Sequence, residues 1–177
     1  MPLLDLFAIE HGDRGADFRL GHLAPPDAES VAERLLEFCR GLGEEQLKGS
    51  TPGAYGSVLS TLRHVLGAEA MYRSILSGIL PQWDWRGEEL PAVAEMEGWA
   101  KEMAAYWQEL LTQPIDPQKA LVWKLRDGTE RNTRAGIVLS QALHHGTAHR
   151  EQICTILTTM GIEPPDLSVW AYGAQNG

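Results

Sequence analysis

The feature that most constrains this chain is a stripe of inward-facing positions near its carboxyl end. Between Thr133 and Met160 the residues of the stripe are spaced three or four apart, which is the period of one helical face. The stripe comprises Val138, Ala142, His145, His149, Gln152, Ile156 and Met160. Two imidazoles therefore stand where a helical core ordinarily has Leu or Ile. The spacing predicts a long amphipathic helix that presents His145 and His149 to the protein interior.

Three upstream segments have the same helical period. They run from about Asp27 to Gly41, from Ser57 to Gly78 and from Pro91 to Pro114. Ser30 with Glu33 fits a capping box in the first segment, and Pro91 is expected in the first turn of the third, where proline is favourable. Four amphipathic helices can bury their apolar stripes against one another. The pattern therefore predicts an all-α fold, a four-helix bundle.

A different pattern separates the predicted third and fourth helices. Residues 120–132 read ALVWKLRDGTERN, in which the alternation of Val122 and Lys124 leads into Asp127 and Gly128. Asp-Gly between alternating residues is a strong signal for a hairpin with a two-residue turn. We therefore expect one short β-hairpin beside the bundle.

Length and charge limit the classes of function. The 177 residues favour a single domain over 1–177, in which the Gly-rich residues 1–26 form an irregular extension. Fifteen Lys and Arg against 24 Asp and Glu give a net charge of −9, which opposes binding to nucleic acid or to an anionic membrane. The start MPLLDLFAIEHGDR has no basic region, and Cys39 and Cys154 lack Cys-x-x-Cys spacing. We expect a cytoplasmic protein with reduced core cysteines.

Three of the six histidines fall within HHGTAH, residues 144–149. Side chains four residues apart on a helix lie about 6 Å from each other, and two imidazoles at that separation can bind one metal ion. His145 and His149 have this spacing and lie on the apolar stripe, where unpaired imidazoles would be costly to bury. His144 is rotated by about 100° from His145. We therefore expect His145 and His149, but not His144, to bind a divalent metal ion.

A divalent ion needs a further ligand from another helix, and His64 in STLRHVLGAEAMY can supply it. This histidine lies beside the apolar stripe of the predicted second helix. A single histidine at such a position is also consistent with a core side chain bonded to a backbone carbonyl. His11 and His22 lie among glycines and charged residues of the extension, and we expect them to be solvated.

The segments STLRHVLGAEAMY and LHHGTAHREQI resemble the DinB/YfiT-like metalloprotein superfamily. The second segment is close to that family's pattern His-x-x-x-His-Arg-x-Gln, and the tail PPDLSVWAYG is similar to its closing segment. The resemblance covers most of the chain from Asp27 on. It implies a four-helix bundle with a metal site of His64, His145 and His149, in a family where homodimers are common.

Three neutral imidazoles would leave one to three positions of the ion open, which is typical of a catalytic site. They suit zinc, nickel, iron or copper. The resemblance implies transfer reactions between a low-molecular-weight thiol, of the bacillithiol or mycothiol type, and an electrophilic substrate. A metal-dependent hydrolase is the alternative, but residues 146–148 between the ligands contain no carboxylate that could act as general base. A non-catalytic, dimeric metal-binding bundle is a second alternative.

Three polar residues near the predicted ligands have two interpretations each. Glu69 is the best available general base, but it lies a full turn past His64 and is equally suited to orient a ligand. Gln152, one turn beyond His149, either bonds a ligand or caps a buried polar group. Arg150 is expected in an ion pair on the surface or between helices, in preference to a contact with substrate.

Aromatic residues flank the helical segments. Trp83 and Trp85 precede the predicted third helix, and Trp170 and Tyr172 lie in the tail. We expect all four to pack over the bundle, with walls of a pocket as the alternative.

Overall fold

The computed structural model describes residues 30–87, 89–125, 127–168 and 170–171. The predicted extension 1–26, with His11 and His22, lies outside the described residues, as does Tyr172. Within the described ranges the chain is mostly helical, with five helices and one two-stranded antiparallel sheet. The elements are α1 (Val31–Arg40), α2 (Glu44–Leu47), α3 (Val58–Ser77), α4 (Val93–Leu111), β1 (Ala120–Lys124), β2 (Glu130–Arg134) and α5 (Ala135–Thr159).

Local signals at the helix ends account for most of these boundaries. Ser30 caps α1, and its side chain and that of Glu33 form the predicted capping box. Ser57 caps α3, which ends at Gly78 with a φ of 74°, a left-handed conformation that glycine adopts without a steric penalty. The placement of Pro91 in the first turn of a helix is wrong, because α4 begins only at Val93.

The hairpin lies where the alternating pattern predicts it. Its strands pair antiparallel, with Leu121 opposite Thr133 and Lys124 opposite Glu130. The predicted two-residue turn is wrong. Three residues lie between Leu125 and Thr129, whose backbones are hydrogen-bonded at 2.9 Å, and Gly128 has a φ of 84°. Asp-Gly also suits this longer loop, because a three-residue hairpin commonly ends in a left-handed residue.

Helix α2 is the element that the sequence pattern does not predict. It has four residues and none of them is buried, so it leaves no apolar period for a pattern to detect. It follows Gly43 directly and joins α1 to the segment before α3. The fifth helix therefore adds to the four predicted ones without replacing any.

The core is made by the four long helices. Helix α3 packs against α5 and α4, and α1 packs against α4. One buried cluster draws on all four of them: Leu35, Leu36, Cys39, Val58, Leu62, Leu66, Val93, Met96, Trp99, Ala100, Ile153, Ile156 and Leu157. A smaller cluster of Ala68, Tyr72 and Val138 lies under the hairpin, where Leu121 contacts it. On α5, His145 and His149 lie between these two clusters in sequence, whereas on α3 His64 lies between Leu62 and Leu66 of the larger cluster.

Two sets of side chains were expected to be buried. Cys39 and Cys154 are free thiols, and burial raises their pKa to about 12 and about 11. Cys39 is buried in the core as expected, whereas Cys154 is only half-buried. Trp83 stacks on Trp99 with ring centroids 4.2 Å apart, which confirms packing for that residue. The packing predicted for Trp170 is wrong, because this side chain is 89% exposed.

None of the described helices is both long enough and apolar enough to cross a membrane.

Two glycines test the described helix boundaries. Gly78→Ala places a side chain in a left-handed conformation, so we expect it to lower the free energy of unfolding by about 1 kcal/mol. Gly98 lies inside α4 with open space where the Cβ of an alanine would stand, so Gly98→Ala should raise that free energy by about 0.5–1 kcal/mol. Urea denaturation of both variants measures the changes, and a loss of stability in Gly98→Ala would contradict the helix at that position.

Candidate metal centre

Three histidines from two helices come together at one point of the fold. His64 lies on α3, and His145 and His149 lie one turn apart on α5. One ring nitrogen from each of them lies within 4.8 Å of those of the other two, and Nε2 of His64 is 3.0 Å from Nε2 of His145. All three side chains are half-buried. The set of ligands expected from the sequence is therefore assembled in space and could hold a metal ion.

The electrostatic environment keeps the imidazoles of His64 and His145 neutral. Burial and the neighbouring His149 and His64 lower the pKa of His145 from 6.5 to about 4. Burial, with smaller effects of His149 and Arg63, also lowers the pKa of His64. A neutral imidazole has a lone pair on one ring nitrogen, whereas a charged one has none. At neutral pH His64 and His145 are therefore in the state that binds metal ions.

Gln152 fixes the tautomer of His149. Its Oε1 accepts the backbone N–H of Tyr55 at 3.1 Å, so the atom at this position must be the oxygen of the amide. The same oxygen lies 2.9 Å from Nδ1 of His149. Because this oxygen can only accept, Nδ1 must be protonated and donate the hydrogen bond. The lone pair of His149 is then on Nε2. Of the two predicted roles for Gln152, the hydrogen bond to a site histidine is the one observed.

The facing nitrogens of His64 and His145 fit a cation. Two Nε2 atoms at 3.0 Å can form a hydrogen bond only if one of them carries a proton. In addition, Nδ1 of His145 is buried without a hydrogen-bond partner among the described residues, so the pair is imperfectly satisfied by the protein alone. A cation between the rings would accept a lone pair from each. The chemistry of the donor set therefore fits a divalent ion that prefers nitrogen ligands.

Tyr55 covers the solvent side of the cluster, and sequence analysis did not identify it. Its ring stacks on His64 with centroids 3.9 Å apart and meets His149 edge-on at 5.4 Å. The residue lies in the loop before α3, where no periodicity indicates which way a side chain points. Its only sequence signal is its place in TPGAYG, just ahead of the helix that carries His64.

An ion pair joins α3 and α5 next to the histidines. Nη1 of Arg150 lies 4.0 Å from Oε1 of Glu69, and both side chains are largely buried. An ion pair was expected for Arg150 either on the surface or between helices, and the observed pair joins two helices. Burial raises the pKa of Glu69, although Arg150 and a hydrogen bond to Trp107 oppose the shift. A Cβ at Gly146 would lie only 2.8 Å from Nη1 of Arg150, so the absence of a side chain there makes room for the guanidinium.

The remaining candidates lie outside the cluster. His144 is exposed on the outer side of α5, as its rotation from His145 predicts. The carboxylate of Glu69 faces Arg150, and among the residues that the structure describes no carboxylate belongs to the histidine cluster. A cleft of about 810 Å³ reaches His64 and Tyr55 from one side. The site is thus a nitrogen-only cluster with access for a small molecule.

Comparison with known protein families gives a match over most of the chain. The model of the DinB family matches residues 27–176, a span that includes all three histidines and all the described residues. No protein with a curated description matches the chain.

Substitution of His64 tests whether an ion joins the two helices. If His64 is a ligand, His64→Ala should lower metal affinity by orders of magnitude, because the ion loses its one ligand from α3. The thermal midpoint of the parent should fall when a chelator removes the metal, since ligand binding stabilises the folded state. The midpoint of His64→Ala should not respond to the chelator. Parallel melts with and without chelator measure this.

The matched control for that experiment is His144→Ala, which removes an exposed imidazole from the same stretch of chain. It should keep the metal content and the chelator response of the parent. A preserved chelator response in His64→Ala would exclude His64 as a ligand and leave it as a core histidine.

Gln152 should control affinity without touching the metal. Gln152→Leu removes the acceptor for Nδ1 of His149, so we expect metal affinity to fall about 10- to 100-fold. Gln152→Glu retains an acceptor oxygen at that position and should restore most of the affinity. Competition with a chromogenic chelator measures both constants. Full affinity in Gln152→Leu would show that the hydrogen bond has no part in metal binding.

Proposed function

Because the chain belongs to the DinB family, we propose that it is a metal-dependent transferase that uses a low-molecular-weight thiol of the bacillithiol or mycothiol type. The observation that carries this proposal is the composition of the site. Three imidazoles converge, and no carboxylate belongs to their cluster within the described part of the chain. Such a site suits activation of a sulfur nucleophile, which needs no general base beside it once it is a thiolate.

We propose His64, His145 and His149 as the ligands of a zinc, nickel or iron ion. When bound, the ion would supply positive charge that stabilises a thiolate at neutral pH. The protein's own part is to hold three imidazoles on two helices, α3 and α5. Gln152 orients His149 through its hydrogen bond, and Tyr55 lies against His64 and limits access of water on that side.

Hydrolysis is the alternative, and the surroundings of Glu69 weigh against it. A hydrolase needs a base that can reach a water molecule beside the metal. Glu69 is the best candidate by position, but it is engaged with Arg150 and receives a hydrogen bond from Trp107. A carboxylate held in this way is better suited to fix the approach of α3 to α5 than to take up protons during turnover.

A non-catalytic metal-binding protein is the second alternative. It would need neither a substrate nor a site for one. The cleft of about 810 Å³ beside His64 lies within the range of small-molecule sites, and this favours a protein that acts on a small electrophile. We further propose that the four long helices form a four-helix bundle within a single domain, and that the protein is a homodimer that binds no nucleic acid.

Thiol transfer is tested with the metal-loaded protein, a thiol and chlorodinitrobenzene. The sulfur bonds to the ring carbon as chloride leaves, and the proton of the thiol passes to solvent. We expect the rate to exceed that of metal-free protein about tenfold or more. Bacillithiol, mycothiol, glutathione and cysteine are compared, and the release of chromophore is followed.

Two controls separate this proposal from its alternatives. His145→Ala should lose the acceleration, whereas His144→Ala should keep it. Metal-dependent cleavage of a nitrophenyl ester without thiol, with no thiol transfer, would support the hydrolase instead. No acceleration with any of the four thiols would contradict the proposed transferase.

A further inference from the structure

The cleft beside His64 extends well beyond the histidines. It follows one face of α3 from Ser60 past His64 to Gly78 and is bounded on its sides by the loop before α4 and by β1. His64 and Gly78 are fourteen residues apart, which corresponds to about 21 Å along a helix. Four small residues of α3 line part of it, namely Ser60, Gly67, Ala68 and Ser74. The cleft is therefore long, and the candidate metal centre lies towards one end of it.

The walls of the cleft are apolar and aromatic. Trp85 comes from the loop and Trp123 from the hairpin. Three large apolar side chains on its rim are about half exposed: Leu80 at 53%, Leu90 at 49% and Val122 at 59%. Apolar side chains exposed together around a concave surface are typical of a binding site. The body of a ligand here would be apolar.

The charged groups along the cleft are all cationic. Arg63, Arg86 and Lys124 line it, and none of its described lining residues is Asp or Glu. In a chain with 24 acidic and 15 basic residues, acidic side chains would be expected on most surfaces of this size. The charged residues that line the cleft thus contrast with the acidic composition of the chain, and this favours an anionic ligand.

Arg63 is the cation nearest to His64 in the chain, and it is held in place. Its Nη2 donates to the backbone carbonyl of Gly87 at 2.5 Å and to that of Asp84 at 3.4 Å. Carbonyl groups orient the guanidinium but leave its charge in place, and no ion pair to Arg63 occurs among the described residues. A fixed guanidinium without a carboxylate partner can bind a carboxylate of a ligand.

The other two cations are less well placed to anchor a ligand. Lys124 forms an ion pair with Glu130 at 3.3 Å, and both side chains are mostly exposed, so this pair is weak. The guanidinium of Arg86 lies over the ring of Trp85, 4.2 Å from its centroid. Arg63 therefore provides the fixed cationic contact of the cleft.

We propose that the cleft binds the body of the substrate, an elongated and largely apolar small molecule whose carboxylate contacts Arg63. This inference rests on the proposed function, because it takes the electrophile to be the ligand of the cleft and His64 to mark the reacting end. It assigns Arg63 as the residue that selects anionic over neutral substrates. The apolar walls provide affinity that increases with the length of the ligand.

Binding to the metal-loaded protein is measured by calorimetry with octanoate and with octanamide, which has nearly the same shape without the charge. We expect octanoate to bind roughly tenfold more tightly. Hexanoate and butanoate should bind progressively more weakly, by about threefold to fourfold for each methylene removed. Equal affinities for octanoate and octanamide would overturn the proposal.

Variants assign the charge preference to one residue. Arg63→Gln should bind octanoate about as weakly as octanamide, and Arg63→Lys should restore part of the preference. Arg131→Gln is the matched control, because Arg131 is exposed on β2 and does not line the cleft; it should bind like the parent. An unchanged preference in a folded Arg63→Gln variant, judged by circular dichroism, would overturn the role of Arg63.

The same titrations distinguish this inference from the proposed function. They report binding and require no turnover. Preferential binding of octanoate with no thiol transfer would support the proposed ligand of the cleft and contradict the proposed transferase activity. Thiol transfer to chlorodinitrobenzene with no preference for octanoate over octanamide would support the proposed transferase activity and contradict the proposed ligand of the cleft.

Discussion

The contact between α3 and α5 is the constraint on which the rest of the structure depends. It brings His64 within 3.0 Å of His145 and places a largely buried ion pair, Glu69 with Arg150, beside the rings. Burying an ion pair and three imidazoles costs free energy unless each group is satisfied. The two helices therefore hold a polar centre inside an apolar core, and the two apolar clusters of that core must supply the stability that this centre does not.

A bound metal ion would change how the contact between α3 and α5 contributes to the stability of the fold. In its absence two facing Nε2 atoms share one proton, and Nδ1 of His145 has no partner among the described residues. An ion held by ligands from both helices would convert this imperfect polar contact into a cross-link, and its binding energy would add to folding stability. The same geometry leaves one face of α3 open to a cleft with cationic groups, so the centre that stabilises the fold would also be the one that meets a substrate.

Periodicity predicted the long helices and the inward-facing histidine pair, because both depend on spacing along one element. The positions of His145 and His149 on a stripe spaced by three and four were sufficient to place them inward, and the same argument placed His144 outward. Contacts that depend on loops or on short elements could not be predicted in this way. Helix α2 buries nothing, the turn of the hairpin has three residues where Asp-Gly suggested two, and Tyr55 reaches the site from a loop with no periodic pattern. The convergence of His64 with the pair on α5 required both the resemblance and the packing of the two helices.

One ion bound by His64, His145 and His149 would link α3 to α5. The most direct test is an anomalous difference map from a crystal of the zinc-loaded, untagged protein. We expect a single strong peak at about 2.0–2.1 Å from one ring nitrogen of each of the three histidines, with Nε2 as the ligand atom of His149 because Nδ1–H donates a hydrogen bond to Gln152. A peak that lacks His64, that includes the carboxylate of Glu69, or that lies at His144 would contradict it.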